Sequence, residues 1–311
     1  MKKYNVLLVS DTANPLLLKS RIEQAGLNVV MLSDPKETYD SPENIDIVIG
    51  GSYFIHHDST LFTQLKWVQI NSAGYDRIPV DKLRKQGILL SNARGVYSAP
   101  IAEWIVLQLL TFMKEAHFFY ENQKAIQWKR RTDLREFEAQ HILIIGTGSI
   151  AYETAIRLKP FGVMITGVNR NGHSAKGFDT TISMDKITGV ISTADAVIIT
   201  LPLNDQTKNL FNKQMIAQMK KGSILLNIGR GGVVNEEDLC ESLKNHHLGH
   251  AALDVFEHEP LPSDSPLWNC ENLILTPHNC FSGNHTAERL AQLIEQNTNH
   301  FIANETLENL I

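Results

Sequence analysis

Short apolar runs bounded by Gly, Asp, Asn or Ser recur along the chain, and between them hydrophobic side chains return at helical spacing. In the first third the runs are Val6–Val9, Val29–Leu32, Ile45–Ile49, Trp67–Ile70 and Ile88–Leu90. The helical patches between them are Pro15–Gln24, Ser59–Gln64 and Pro79–Lys85. This alternation predicts a small parallel α/β unit. It starts again at Gln140, with strands predicted at His141–Ile145, Val163–Val168, Ala196–Thr200, Ile224–Ile228, His250–Leu253 and Leu273–Leu275. Helices are predicted at Ile150–Lys159, Met184–Ser192, Lys213–Gln218 and Glu236–Asn245. The natural reading of this half is a six-stranded doubly wound sheet. Between the two regions Ser98–Lys124 predicts one long, largely buried helix, with Pro100 in its first turn, where proline is tolerated. The tail, Asn284–Ala303, is helical with no strand after it, so it is expected to rejoin the first region. The expected layout is one domain of residues 97–281 inserted into a smaller one made of residues 1–96 and 282–311.

Composition narrows the class. The 311 residues suit two domains, 43% of them are hydrophobic, and the formal net charge of -5 leaves no basic footprint for nucleic acid. Cys240, Cys270 and Cys280 show no CxxC spacing, and the adjacent pairs His56-His57 and His246-His247 need not converge, so no metal site is predicted. The opening MKKYNVLLVSD is too short for a secretion signal and reads as a first strand, and no segment approaches about 20 unbroken apolar residues. The expectation is a soluble cytoplasmic protein without a membrane or nucleic-acid partner.

Strand His141–Ile145 breaks directly into Gly146-Thr147-Gly148-Ser149-Ile150-Ala151 and then a helix. That is the G-x-G-x-x-G/A pattern in the context it needs: Gly146 for the tight turn, Gly148 for approach of a pyrophosphate, Ala151 for helix–strand packing, and a helix N-terminus for phosphate charge. A glycine-rich turn that binds nothing is the plainer alternative for the motif alone; the flanking strand and helix favour a dinucleotide on a Rossmann domain. NAD-specific sites place Asp or Glu roughly 20 residues further on. Here strand Val163–Val168 ends in Asn169-Arg170-Asn171, which suits a 2′-phosphate, so NADP(H) is favoured over NAD(H). If Arg170 merely faces solvent and Asn169 merely ends the strand, both cofactors are accepted.

Three polar residues stand just beyond predicted strand ends, where doubly wound sheets carry their chemistry. They are Arg230 in NIGRGG, Glu259 in DVFEHEP and His278 in TPHN. A guanidinium grips a carboxylate through paired hydrogen bonds. A histidine held by a carboxylate is oriented, and favoured in its charged form, for proton transfer to a carbonyl oxygen. Each has a bland alternative as a surface arginine, a solvated acid or a core histidine; together, beside a nicotinamide, they would reduce a 2-keto acid. Cys280, two residues past His278, reads as a packing residue.

Over nearly its whole length the chain resembles the D-isomer-specific 2-hydroxyacid dehydrogenase family. The matching pieces, in order, are NSAGYDRI (Asn71–Ile78), the run from Asn92 to Glu103, GTGSIA (Gly146–Ala151), LPLNDQTKNLF (Leu201–Phe211), NIGRGGVVNEEDL (Asn227–Leu239), DVFEHEPLP (Asp254–Pro262) and TPH (Thr276–His278). The resemblance implies an α/β fold of two doubly wound parallel-sheet domains, a Rossmann NAD(P)-binding domain inserted into a smaller flavodoxin-like substrate domain. It implies that Arg230 binds and polarises the substrate, that His278 is the proton donor or acceptor, and that Glu259 hydrogen-bonds His278. Ala73, Gly74 and Tyr75 would present the substrate-binding loop. Gly146, Thr147, Gly148, Ser149, Ile150, Asn169, Arg170, Leu201, Pro202, Thr207, Ile228, Gly229 and Asp254 would face the cofactor.

The chain also departs from the family. After TPH the family usually continues with a small-residue turn containing Gly at the third following position, where this chain has Phe281, with Gly283 later. The Gln that formate dehydrogenases of this superfamily carry is Glu259 here, against formate. The small-domain Arg of the 3-phosphoglycerate branch falls near Gly51, and its absence counts against a phosphorylated substrate. The expected function is hydride transfer between NAD(P)H and a small 2-keto acid or D-2-hydroxy acid, of the glyoxylate/hydroxypyruvate kind. The alternatives are a D-3-phosphoglycerate dehydrogenase-like activity and a non-catalytic dinucleotide-sensing scaffold on the same fold. The apolar stretch Ser98–Lys124 and the family's habit predict a homodimer, with closure of the domains about crossings near Ala93–Ala99 and Cys280–Thr286.

Overall fold

A computed structural model of the protein describes residues 3–9 and 14–311. Met1, Lys2 and Ser10–Ala13, including the last residues of the opening run, lie outside the described residues. The chain divides into two compact units, one of residues 1–97 and 283–311 and the other of residues 98–282.

The first unit begins β1 (Asn5–Val9), α1 (Pro15–Gln24), β2 (Asn28–Leu32), β3 (Ile47–Ile49), α2 (Tyr53–His56), β4 (Trp67–Gln69), α3 (Val80–Lys85) and β5 (Leu89–Ser91). Its five strands pair in parallel in the order β2-β1-β3-β4-β5. Val6–Val9 of β1 are completely buried, as a strand covered on both faces requires. The patch expected as a helix over Ser59–Gln64 forms only a 3₁₀ turn, Ser59–Leu61, opened by the Asp58 carboxylate accepting from the Thr60 N–H.

The second unit runs through α4 (Ser98–Met113), α5 (Ala116–Lys124), β6 (His141–Ile145), α6 (Ser149–Leu158), β7 (Met164–Asn169), β8 (Thr180–Ser183), α7 (Thr188–Ile191), β9 (Ala196–Ile199), α8 (Lys213–Ala217), β10 (Ile224–Asn227), α9 (Glu236–Lys244), β11 (His250–Leu253) and β12 (Leu273–Leu275). All seven strands are parallel, in the order β12-β11-β10-β9-β6-β7-β8. Two expectations are corrected. The sheet has a seventh strand, β8, whose TTIS sequence is too short and polar to register as an apolar run. The single helix over Ser98–Lys124 is two helices, because Glu115 takes a left-handed conformation (φ 50°) and redirects the chain. Beside that break the Arg135 N–H donates to the Met113 carbonyl at 3.1 Å.

The tail forms α10 (Thr286–Ala303) and packs in the first unit. Leu290, Ala291 and Ile294 share a hydrophobic cluster with Leu18 and Ile22 of α1. Above it Arg21 of α1 forks to Glu288 (2.6 Å) and Glu295 (2.9 Å). Asn297 reaches the Gln69 side chain of β4 with a buried 3.0 Å hydrogen bond. Among the described residues no helix is long and apolar enough to cross a membrane.

Candidate active site

In the second unit β6 lies between β7 and β9, so the chain leaves β6 toward one edge of the sheet and later returns on its other side. The loop after β6 therefore sits at the reversal of strand order, where doubly wound sheets open a crevice. Gly146 adopts φ 104°, and a side chain there would collide with Thr200, which directly follows β9. Gly148 caps α6 without any side-chain cap, and a Cβ at Gly148 would meet nothing within 4 Å. The first N–H groups of α6 thus open onto unobstructed space beside a backbone with no side chain, which fits a dinucleotide pyrophosphate. The Ser149 hydroxyl accepts from Ser98 Oγ at 3.0 Å, and Ile150 is half-buried beside it. Thr147 Oγ1 accepts from the Asn169 amide at 3.3 Å, tying the glycine loop to the end of β7.

Asn169 organises the turn that follows. Its Oδ1 accepts the N–H groups of Asn171 (3.2 Å) and Gly172 (2.7 Å), and its amide donates to the His173 carbonyl at 2.9 Å. Arg170 projects from this turn, exposed and without an acidic partner among the described residues. Thr207 is committed to its own turn: its hydroxyl donates to the Pro202 carbonyl (2.7 Å) and accepts from the Asn204 N–H (2.8 Å). That pair shapes the Leu201–Thr207 loop, with Pro202 exposed and Leu201 half-buried.

Beyond β10 the chain enters the Arg230 turn, with Ile228 and Gly229 buried at its base. Buried Asn227 accepts from the Gly229 N–H at 3.1 Å and donates to the Arg230 carbonyl at 2.9 Å, clamping the turn from inside. A Cβ at Gly231 would run into the carbonyl of Phe256, so the turn lies directly against the backbone after β11. Arg230 itself is half-buried, with Nη1 donating to the Gly229 carbonyl at 2.8 Å.

Glu259 and His278 are brought together. His278 Nδ1 lies 2.9 Å from Glu259 Oε2, while Oε1 of the same carboxylate accepts the Phe256 N–H at 3.1 Å. The glutamate side chain is 19% exposed and the histidine 42%. His278 Nε2 meets no partner among the described residues, so the ring presents that nitrogen outward. The loop holding it is unusual for a non-glycine residue, with His278 at φ 49°. Asp254, completely buried, holds that conformation: one oxygen takes the Thr276 hydroxyl (2.5 Å) and the Asn279 N–H (2.9 Å), and both approach the Cys280 N–H. The Asp254 carboxylate, expected from sequence to face the cofactor, holds the His278 loop. Phe281 stands edge-on to His278 with ring centroids 6.4 Å apart. Burial, followed by the neighbouring Asp254, pushes the Cys280 thiol far above the usual range, in keeping with a packing residue.

In the first unit the Ser72–Tyr75 loop has its carbonyls tied and its N–H groups free. The Ser72 carbonyl accepts from the Ala93 N–H (3.1 Å), the Ala73 carbonyl from Asn92 (2.8 Å) and the Gly74 carbonyl from Ser72 Oγ (2.6 Å). Among the described residues the N–H groups of Ala73, Gly74 and Tyr75 donate to nothing. Three such donors in a fixed loop suit an anion. Asn92, Asn227 and Asp254 are the supporting residues that sequence reasoning did not single out in these roles. The only signal for them was a polar residue inside an apolar or glycine-rich motif.

The profile of the D-isomer specific 2-hydroxyacid dehydrogenase NAD binding domain matches residues 106–280. The chain belongs to this family. It is 31% identical to the (S)-sulfolactate dehydrogenase of Chromohalobacter salexigens, covering 76% of this chain and 77% of that one. It is 28% identical to glyoxylate/hydroxypyruvate reductase B of Pectobacterium carotovorum over 99% of this chain and 98% of that one. A family member from Aeromonas salmonicida has a crystal structure that superposes with a TM-score of 0.86 at 30% identity, covering 100% of this chain and 99% of that chain. Both parallel-sheet domains match that structure, so the fold and family expected from sequence hold. The protein is an NAD(P)-dependent oxidoreductase acting on the CH–OH group of 2-hydroxy acids.

Proposed function

We propose that this enzyme reduces a small, unphosphorylated 2-keto acid to the D-2-hydroxy acid, with glyoxylate and hydroxypyruvate as the favoured substrates and NADP(H) as the favoured cofactor. The observation that carries the reading is the Glu259–His278 pair, which fixes one imidazole nitrogen and offers the other, one connection after the turn that displays Arg230. The likeness to a glyoxylate/hydroxypyruvate reductase over nearly both full lengths supports the substrate class. Gly51 stands where a phosphate-reading arginine would be expected, and a Cβ there would press on Ile70 and Ile78, so the phosphorylated alternative is not favoured.

When bound, the reduced nicotinamide supplies the hydride that goes to C2 of the substrate. The residues do the rest. His278 Nε2 gives its proton to the carbonyl oxygen as negative charge develops there, and Glu259 holds the ring on its Nδ1 side throughout. Arg230 pairs with the substrate carboxylate and stabilises the developing oxyanion. Within the first unit, the Ala73, Gly74 and Tyr75 N–H groups are the donors suited to a carboxylate. In oxidation of the hydroxy acid, neutral His278 accepts the proton instead. Asn169, a neutral residue where NAD-specific sites carry an acid, and outward-facing Arg170 favour the 2′-phosphate of NADP(H).

The enzyme is further proposed to be a cytoplasmic homodimer. Leu107, Tyr120, Ile126 and Trp128 are 56%, 60%, 96% and 92% exposed, an apolar surface suited to a second copy. The test of function is a panel of glyoxylate, hydroxypyruvate, 3-phosphohydroxypyruvate and the keto acid of sulfolactate, each with NADPH and NADH. The highest kcat/KM should fall on an unphosphorylated keto acid with NADPH. Preference for the phosphorylated substrate, or no turnover of any, would overturn the proposal.

A further inference from the structure

We infer that Asn309, beyond α10, is a positioning residue for substrate binding: it holds the segment that in turn holds the Ser72–Tyr75 loop. The inference rests on the reading above that the Ala73, Gly74 and Tyr75 N–H groups are the donors suited to the substrate carboxylate. Backbone donors point where the loop points them, and this loop is set by the ties on its carbonyls. Those ties come from residues 92 and 93. Asn92 Nδ2 donates to the Ala73 carbonyl at 2.8 Å, and the Ala93 N–H donates to the Ser72 carbonyl at 3.1 Å. Asn92 also braces its own segment, its Oδ1 accepting the Arg94 N–H at 3.2 Å.

Asn309 grips that segment at three points. Its carbonyl accepts the Asn92 N–H at 3.2 Å, its Oδ1 accepts from Arg94 Nε at 3.2 Å, and its Nδ2 donates to the Arg94 carbonyl at 2.9 Å. The residue takes φ 56°, a left-handed conformation that asparagine enters more readily than most side-chain-bearing residues. Glycine could adopt that backbone but would supply neither side-chain bond, and an aspartate carboxylate could not donate. The grip is itself anchored. Buried Asn297 of α10 accepts the Glu308 N–H at 2.7 Å and donates to the Glu308 carbonyl at 3.2 Å. Leu307 is buried in the first unit's core, and the Ile311 N–H donates to the Leu90 carbonyl of β5 at 3.0 Å. Arg94 is followed by Gly95 at φ 95°, so without the Asn309 side chain the segment can shift at a residue with few backbone constraints. A shift there moves the Asn92 amide and the loop donors with it. A carboxylate that does not react is then held less well in ground state and transition state alike, which is an effect on KM.

The test is steady-state kinetics of the full-length protein with hydroxypyruvate and NADPH, in the parent, Asn309→Gly, Asn309→Asp and Leu310→Ala. Glycine keeps the left-handed backbone and removes only the two side-chain bonds. Its KM for hydroxypyruvate should rise roughly 5- to 10-fold, with kcat changed less than about 2-fold and KM for NADPH at the parent's value. Aspartate keeps the conformation and the acceptor for Arg94 Nε, so its KM should fall between those of the parent and the glycine variant. It also carries the test if the glycine variant does not fold. Leu310 is 43% exposed and meets β5 through a backbone bridge to Ser91, so Leu310→Ala should keep the parent's KM. A merely structural role would lower the melting temperature and the active fraction, and so kcat, without moving KM. An unchanged hydroxypyruvate KM in both Asn309 variants, a matching rise for NADPH, or the same rise in Leu310→Ala would overturn the inference and leave the functional reading in place. A parent that turns over no keto acid overturns that reading, and the inference with it.

Discussion

Replacing Glu259 by Gln removes one acceptor oxygen and one charge while keeping the side chain's shape. In the native site Oε1 accepts the Phe256 N–H at 3.1 Å and Oε2 faces His278 Nδ1 at 2.9 Å. Glutamine has a single acceptor oxygen, so it serves the Phe256 N–H or the His278 N–H but not both. If its amide turns to His278, the ring must accept at Nδ1, which inverts the tautomer that the reaction uses. If its oxygen turns to His278, the amide opposes the Phe256 N–H and strains the loop lying against Gly231. A charge-assisted hydrogen bond contributes about 1.5–3 kcal/mol, and with His278 42% exposed solvent screening reduces this to roughly 1–2 kcal/mol. The expected loss is therefore about 5- to 30-fold in kcat, with KM changed much less because the carboxylate contacts proposed for Arg230 are untouched. Steady-state loss of reduced-nicotinamide absorbance at saturating cofactor measures it. A kcat equal to the parent's, with the variant folded, would refute the reasoning.

Other outcomes follow from the same geometry. Arg170→Ala should raise KM for NADPH by roughly 10-fold or more while leaving NADH nearly unchanged, and equal losses would remove Arg170 from cofactor choice. Gly231→Ala must displace the Phe256 backbone and with it the Glu259 loop, so thermal denaturation should show a loss of about 2 kcal/mol or more; an unshifted melting curve would contradict the packing. His141 is buried with both ring nitrogens on threonine hydroxyls, at 3.1 Å from Thr193 and 2.9 Å from Thr166, and burial holds it below its ordinary value of 6.5 despite nearby Asp195. The unfolded chain therefore takes up the proton first, so this contribution to stability is full above about pH 6.5 and is lost as pH falls below it. Urea midpoints measured down to about pH 5.5 should fall less steeply in His141→Gln than in the parent. Light scattering at micromolar concentration should give the mass of a dimer, and a monomer would count against the exposed apolar surface as an interface.

Much of this was legible in the sequence because buried parallel strands announce themselves. Ile142–Ile145, Ala196–Ile199 and Ile224–Leu226 are apolar throughout and completely buried, and the motifs stand at their ends. Helix α1 has the predicted bounds, with Asn14 accepting from the Leu17 N–H and Pro15 in the first turn. What escaped depends on contacts distant in sequence. β8 is a strand because it pairs with β7, the Glu115 break is a single left-handed residue in a run of good helix formers, and the left-handed turn at His278 exists because Asp254 grips the loop. The candidate site was legible as residue types, Arg230, Glu259 and His278. Their mutual geometry, and the clamps supplied by Asn227, Asp254 and Asn92, required the fold.

The most direct test of the central claim is reduction of hydroxypyruvate by NADPH with chiral analysis of the glycerate formed, in the parent and in His278→Ala. The account predicts D-glycerate from the parent and a rate about 100-fold lower or less from the variant, with cofactor binding retained. L-glycerate, no turnover by the parent, or full activity in His278→Ala would contradict it.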